Sequence, residues 1–210
     1  MKLQYKNQPF QLKAVESVIS TFEGQPRKNN MSYMMDMGHE KNVSLDIVNG
    51  FKNADITLSE SDLLKNIQVT QKNNGLVTDT QLVKMAIGGK DKSTKTDNSR
   101  NILTLSVEME TGTGKTYTYI KTMLELNKQY GWSKFIIVVP SVAIREGIAK
   151  TFESTAEHFK QSYGIGVRYF IYNSSHLDQI EAFASDAGIN VMIVNTQAFN
   201  ARGADARRID

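Results

Sequence analysis

Apolar positions recur along this 210-residue chain in two rhythms, and the change between them divides it. Near the amino end Leu12, Val15, Val18, Ile19 and Phe22 fall on one face of a helix over 10–23, which Gly24 stops. From Gln25 to about Arg100 the rhythm is lost. Met31, Met34, Met35 and Met37 cluster with no clean period. Ser59 predicts the cap of a short helix holding Leu63, Leu64 and Ile67, with Asp62 in its third position. Asn73-Asn74-Gly75 reads as a turn, of the kind that closes a hairpin. The stretch from Gly88 to Ser99 is almost free of apolar residues and is expected to be a mobile surface loop, over 88–100 at its widest.

Past Arg100 the pattern becomes regular. Ile102-Leu103-Thr104-Leu105-Ser106-Val107 predicts a buried strand. Tyr119, Met123, Leu126 and Tyr130 then step by 4, 3 and 4, with Ile120 and Leu124 beside them, so a helix follows that Gly131 ends. Phe135-Ile136-Ile137-Val138-Val139 is a continuous apolar run, as expected of a strand covered on both faces. Ile144, Ile148, Phe152 and Phe159 mark a helix, Val167–Tyr172 a strand, Leu177, Ile180 and Ala184 a short helix, and Val191–Val194 another strand. This alternation predicts an α/β fold: a mostly parallel sheet with helices on both faces. Three segments follow: an amino-terminal helix (1–24), an irregular insertion (25–100) and an α/β part (101–210).

The joint between strand 102–107 and its helix carries the chemistry. It reads Glu108-Met109-Glu110-Thr111-Gly112-Thr113-Gly114-Lys115-Thr116. A triphosphate can be met by a concave row of backbone N–H groups only where side chains stand aside. Gly112 and Gly114 allow that approach and the positive φ it requires. A helix starting at the loop's end aims free N–H groups and its dipole at the same anion. Lys115 adds a charge for the β- and γ-phosphates, and the Thr116 hydroxyl can be a ligand of Mg²⁺. The full phosphate-loop pattern has a glycine where Met109 stands. The bland alternative is a strand-to-helix turn.

Composition narrows the picture only a little. There is no cysteine, which excludes disulfides and thiolate metal sites and fits a cytoplasmic protein. No run of 18 apolar residues and no signal-peptide pattern occurs, so no membrane role is expected. A formal charge of +3 permits a nucleic-acid partner without pointing to one. His39, His158 and His176 are scattered and suggest neither a metal site nor catalysis.

Taken in order, the motifs resemble the ATP-driven translocase (restriction) subunit of type III restriction-modification enzymes, within superfamily 2 helicases. Phe10-Gln11-Leu12-Lys13-Ala14 is similar to the upstream motif whose glutamine recognises adenine. Met109–Thr116 resembles helicase motif I, which often has alanine in place of the glycine where Met109 stands. Val138-Val139-Pro140-Ser141-Val142-Ala143-Ile144-Arg145-Glu146-Gly147 resembles motif Ia, and Val194-Asn195-Thr196-Gln197-Ala198-Phe199 the next strand-end motif on the nucleic-acid face.

The resemblance implies a RecA-like phosphate-loop domain in which Gln11, Thr111, Gly112, Thr113, Gly114, Lys115 and Thr116 hold ATP. Lys115 and Thr116 would be the catalytic pair, and Thr116 would hold Mg²⁺ through the nucleotide. It implies Pro140, Ser141, Thr196 and Gln197 as contacts to the DNA backbone, double-stranded DNA and a methyltransferase (modification) subunit as partners, and an endonuclease activity in the longer protein. Each position has a plainer reading. Gln11 and Arg145 can be solvated helix residues, Pro140-Ser141 can merely end a strand and cap a helix, and Trp132 can pack at a helix end.

No Asp-Glu pair at a strand end follows Thr196, so the chain is expected to be an amino-terminal piece, inactive alone. Rival readings are another superfamily 2 helicase or type I restriction motor, a phosphate-loop kinase or GTPase, and a non-enzymatic module that binds DNA or a partner.

Overall fold

The computed structural model describes residues 5–6, 8–28, 31–34, 49–87, 100–173 and 176–196. The expected mobile loop at 88–99, and Met35 and Met37 of the methionine cluster, lie outside the described residues. The elements in chain order are α1 (Pro9–Thr21), β1 (Met31–Met34), β2 (Asn49–Lys52), α2 (Glu60–Asn73), β3 (Lys84–Ile87), β4 (Arg100–Leu103), α3 (Lys115–Tyr130), β5 (Lys134–Val139), α4 (Val142–Tyr163), β6 (Val167–Ile171), α5 (Leu177–Ser185) and β7 (Ile189–Asn195). They fall into two compact units: residues 1–7, 26–55 and 116–210 form the larger, and 8–25 with 56–115 the smaller. The irregular stretch 25–100 is thus shared between them.

The larger unit is an α/β sandwich around a three-stranded parallel sheet of order β5-β7-β6. β7 sits centrally, and every one of its residues is buried. On one sheet face Ile120 and Leu124 of α3 and Ile148, Phe152 and Phe159 of α4 pack on Val139, Ile189, Val191 and Ile193. On the other, Met192 and Val194 pack with Tyr172, Phe170 and the α5 side chains Ile180 and Phe183. A strand buried on both faces reads as a continuous apolar run, and β7 obeys that rule.

β5 does not. The expectation that Phe135–Val139 is covered on both faces fails, since Ile136 and Val138 are each 55% exposed. A run of β-branched residues says that a strand can be covered twice. Whether it is depends on where the helices lie.

Residues 49–55 hold the entrance to β5. The Asn53 side-chain oxygen Oδ1 accepts from the backbone N–H groups of Ser133 and Lys134, and its side-chain Nδ2 donates to the Lys134 carbonyl. Trp132 packs at the end of α3 as expected, 5.4 Å from the Tyr130 ring, with its indole N–H given to the Ala54 carbonyl. The methionine-rich stretch yields β1, paired antiparallel with β2.

The smaller unit is built on α1 packed against α2. Val15, Ile19, Phe22 and Leu63 are buried. Leu12, placed by its spacing on the buried face, is 39% exposed, and Gln11 takes the buried place four residues before Val15. α2 starts where expected: Ser59 Oγ accepts from the Asp62 N–H at 3.1 Å. Asn73-Asn74-Gly75 closes no hairpin. Asn74 caps α2, and Gly75 at φ +68° turns the chain so that the Leu76 N–H reaches the Gln71 carbonyl, a glycine C-cap.

The strand expected over 102–107 also differs. β4 stops at Leu103, pairs antiparallel with β3, and is carried on only by a Thr104 N–H to Val83 carbonyl bond. Val107 is left 48% exposed. Periodicity located the apolar run but could not supply the neighbouring strands that would bury it.

Candidate nucleotide loop and nucleic-acid edge

The phosphate-loop candidate up to Lys115 lies in the smaller unit, directly after an extended segment. Gly112 and Gly114 adopt φ of +80° and +84°, the left-handed region that disfavours any side chain. A Cβ at Gly112 would meet nothing within 4 Å, so the glycine answers a conformational demand, and the backbone there stays open to approach. The Glu110 carbonyl gathers the loop: it accepts from Thr113 Oγ1 at 2.7 Å and from Lys115 Nζ at 2.9 Å. Thr111 and Lys115 are exposed, while Thr113 and Gly114 are half-buried.

Gln11 is no solvated helix residue. It is 9% exposed, and its amide donates to the Thr113 carbonyl at 2.8 Å, across 102 positions of sequence. The helix carrying the expected adenine-side glutamine is therefore tied to the loop expected to hold the phosphates. A cleft of about 830 Å³ in the same unit runs past Phe10, Lys13, Val18, Met109, Glu110 and Thr113.

Thr116 belongs to the larger unit, half-buried in the first turn of α3. The turn is anchored next door: Tyr117 is buried, and its hydroxyl lies 2.9 Å from His158 Nε2. Tyr5 stacks on Tyr117 with centroids 5.8 Å apart and 13° between planes, and Tyr117 stacks on Phe159 at 4.9 Å. Burial, and then the nearby Lys121 ammonium, hold the His158 imidazole below its usual range. Burial pushes the Tyr117 phenol up. Neutral His158 thus serves as a hydrogen-bond partner in an aromatic cluster, a place that its isolated position in sequence could not disclose.

The expected nucleic-acid residues gather at the carboxyl end of the sheet. Val139 of β5 is in register with Asn195 of β7, so Pro140 and Thr196 leave adjacent parallel strands side by side, and both are exposed. Ser141 caps α4, its Oγ accepting from the Ile144 N–H at 3.3 Å. Gln197 lies outside the described residues. Arg145 is not solvated: its side chain is 20% exposed, and it pairs with the Glu146 carboxylate at 2.9 Å and reaches Asn195 Oδ1 at 3.5 Å. It ties the first turn of α4 to the end of β7. Among the described residues no cluster of His, Asp and Glu could hold a metal by itself, and no helix is long and apolar enough to cross a membrane.

Comparison with known proteins bears on the family of the chain. The family described as type III restriction enzyme, res subunit, matches residues 4–208. The Res subunit of the type III restriction-modification enzyme EcoPI, from Escherichia phage P1, is 28% identical over 96% of this chain and 20% of the relative. That of EcoP15I from Escherichia coli is 30% identical over 94% of the chain and 19% of the relative. That of StyLTI from Salmonella typhimurium is 48% identical over a shorter stretch, 32% of the chain and 7% of the relative. The chain thus spans about a fifth of the length of the first two.

Proposed function

The chain belongs to the family of type III restriction enzyme res subunits, and on that premise we propose that it is the nucleotide-binding part of an ATP-driven DNA translocase. The observation that carries the reading is the bond from Gln11 to the Thr113 carbonyl, beside two glycines held at positive φ. A buried glutamine bound to a loop of this shape gives the adenine-side helix and the phosphate side a fixed relation. A plain strand-to-helix turn has no need of one.

In this reading the N–H groups of 111–115 meet the phosphates, and Lys115 exchanges the Glu110 carbonyl for phosphate oxygens. Mg²⁺ arrives with the triphosphate, since Thr116 offers a single hydroxyl and Mg²⁺ is commonly completed by phosphate oxygens and water. When bound, the ion neutralises charge that develops on the phosphates. Pro140, Ser141 and Thr196 contact the DNA backbone, which positions the strand without reading its sequence. Double-stranded DNA and the modification subunit are the partners of the longer protein, which cleaves DNA in the cytoplasm.

Hydrolysis needs more than residues 1–210 contain. No Asp-Glu dipeptide occurs in them, and loss of an arginine finger alone slows phosphoryl transfer by about 10³–10⁵-fold. The fragment therefore binds nucleotide weakly and turns it over no faster with DNA than without.

Calorimetric titration with ATP and Mg²⁺ tests the reading. Lys115→Ala is expected to weaken binding by roughly 10- to 150-fold, the loss of a charged hydrogen bond of about 1.5–3 kcal/mol. Equal affinity in the variant and the parent chain would overturn the assignment. Turnover of about 1 s⁻¹ or more that Lys115→Ala abolishes would overturn the claim that hydrolysis needs groups from outside.

A further inference from the structure

Among the described residues two buried side-chain oxygens have no hydrogen-bond partner, Thr70 Oγ1 and Tyr119 Oη. Most buried polar groups are satisfied, and one left alone is destabilising, so each such group asks for a reason. Other tyrosines of the larger unit keep the rule. Tyr5 donates to the Ser154 carbonyl, Tyr117 faces His158 Nε2, Tyr163 donates to Glu125 and Tyr169 to Glu153. Tyr119 departs from them.

Its place on α3 says what the hydroxyl can meet. Thr116 is half-buried in the first turn of the helix, and Tyr119 follows three residues on, so the two share a face. Helical side chains lean towards the amino end, and the Tyr119 ring therefore covers the turn that carries Thr116. The ring itself packs on the core that α3 and α4 form with β7, which fixes where its oxygen lies. Burial pushes the phenol up, and the Thr116 hydroxyl beside it opposes that shift. The two hydroxyls are neighbours that lack the geometry of a hydrogen bond.

A hydroxyl has one proton and two acceptor lone pairs. A threonine that turns one lone pair to Mg²⁺ is held in a single rotamer only if its proton or its other lone pair has a partner there. Groups that orient a metal's ligands in this way have a strong influence on affinity. We propose that Tyr119 is a positioning residue for the magnesium nucleotide: its buried hydroxyl, unpartnered in this structure, bonds to the Thr116 hydroxyl when Thr116 holds the ion. Tyr119 can accept the threonine proton or donate to the remaining lone pair, and either bond fixes the same rotamer. The proposal deepens the nucleotide reading and rests on it.

The test is Tyr119→Phe, which removes one oxygen and keeps the ring. Residues 1–210 are titrated with ATP in Mg²⁺ and again in a chelator, and thermal unfolding is followed without nucleotide. With Mg²⁺ the variant is expected to bind ATP about three- to tenfold more weakly, the worth of one neutral hydrogen bond, and without the ion equally well. Without nucleotide it is expected to melt at the parent temperature or slightly above, because the oxygen removed had no partner to lose. In a Thr116→Ala chain the same substitution is expected to weaken binding no further, since Tyr119 acts through that hydroxyl. Unaltered affinity in Mg²⁺, an equal loss with and without the ion, a full further loss on top of Thr116→Ala, or a lowered melting temperature each overturns the proposal. Lys115→Ala separates it from the reading beneath. A parent chain that binds no ATP, or a Lys115→Ala chain that binds as well as the parent, overturns the nucleotide loop and this proposal together. Weakened binding in Lys115→Ala beside unaltered binding in Tyr119→Phe overturns this proposal alone.

Discussion

β7 and β4 both overlap segments whose apolar runs predict buried strands, yet one is buried at every residue and the other is exposed at three of its four. β7 lies in the larger unit, where two helices pack on one face of the sheet and a third on the other. β4 lies in the smaller unit, where two helices and a two-stranded ribbon bury few side chains, and a lone hairpin is at best marginally stable. The expected nucleotide loop is reached through the weaker element. Loops that bind ligands tend to sit at the low-stability end of a structure, because they must rearrange around what they hold. The firm sheet carries the residues proposed to meet the DNA backbone, Pro140, Ser141 and Thr196, at strand ends, where open α/β sheets place their binding sites.

The sharpest test of this contrast is a matched pair of truncations. Ile193→Ala removes a side chain with no exposed surface and is expected to cost about 2–5 kcal/mol. Ile102→Ala in β4 removes one that is 44% exposed and is expected to stay within about 0.5 kcal/mol. Denaturant unfolding measures both, with Trp132, the chain's one tryptophan, reporting on the larger unit and circular dichroism on the whole. Similar costs for the two would mean that β4 is as well packed as β7.

Gln11→Ala probes the smaller unit at the proposed nucleotide loop. The change leaves the Thr113 carbonyl without its donor and is expected to cost about 1–3 kcal/mol. Nucleotide affinity should fall with it, whereas Lys115→Ala should lower affinity and leave stability near that of the parent chain. A Gln11→Ala chain that kept both would show the bond to be incidental.

The smallest expected effect is one of pH. His158 titrates below its usual range in the folded chain, through burial and then the Lys121 ammonium, so the folded state prefers the neutral ring. Its contribution is fully present above the unfolded value of about 6.5 and is lost as pH falls through the lowered folded value. Acid destabilisation of the larger unit should therefore be shallower in His158→Gln as pH falls below about 6.5. A slope identical to that of the parent chain would remove His158 from the account.

Much of this molecule was legible in the order of its residues. Steps of three and four placed α1, α3 and α4, the serines ahead of α2 and α4 cap them as expected, and Gly112 and Gly114 turn at positive φ as a phosphate loop requires. These features depend on neighbours within one or two turns of chain, so a linear reading can find them. The same reading could not tell β5 from β7, since both are apolar runs and only the placement of α5 leaves Ile136 and Val138 bare. It took Gln11 and Arg145 for possible solvated residues. The Thr113 carbonyl that accepts from Gln11 and the Asn195 side chain near Arg145 lie 102 and 50 residues away, and the fold alone brings them into reach. Asn53, whose side chain holds the entrance to β5, gave no signal at all, because its partners are the backbone groups of Ser133 and Lys134. Sequence by itself determined which segments could be helix, strand and phosphate loop, through local sterics and periodic burial. Tertiary structure decided which strands are covered and which polar side chains are committed, because both depend on groups brought together only when the chain closes on itself.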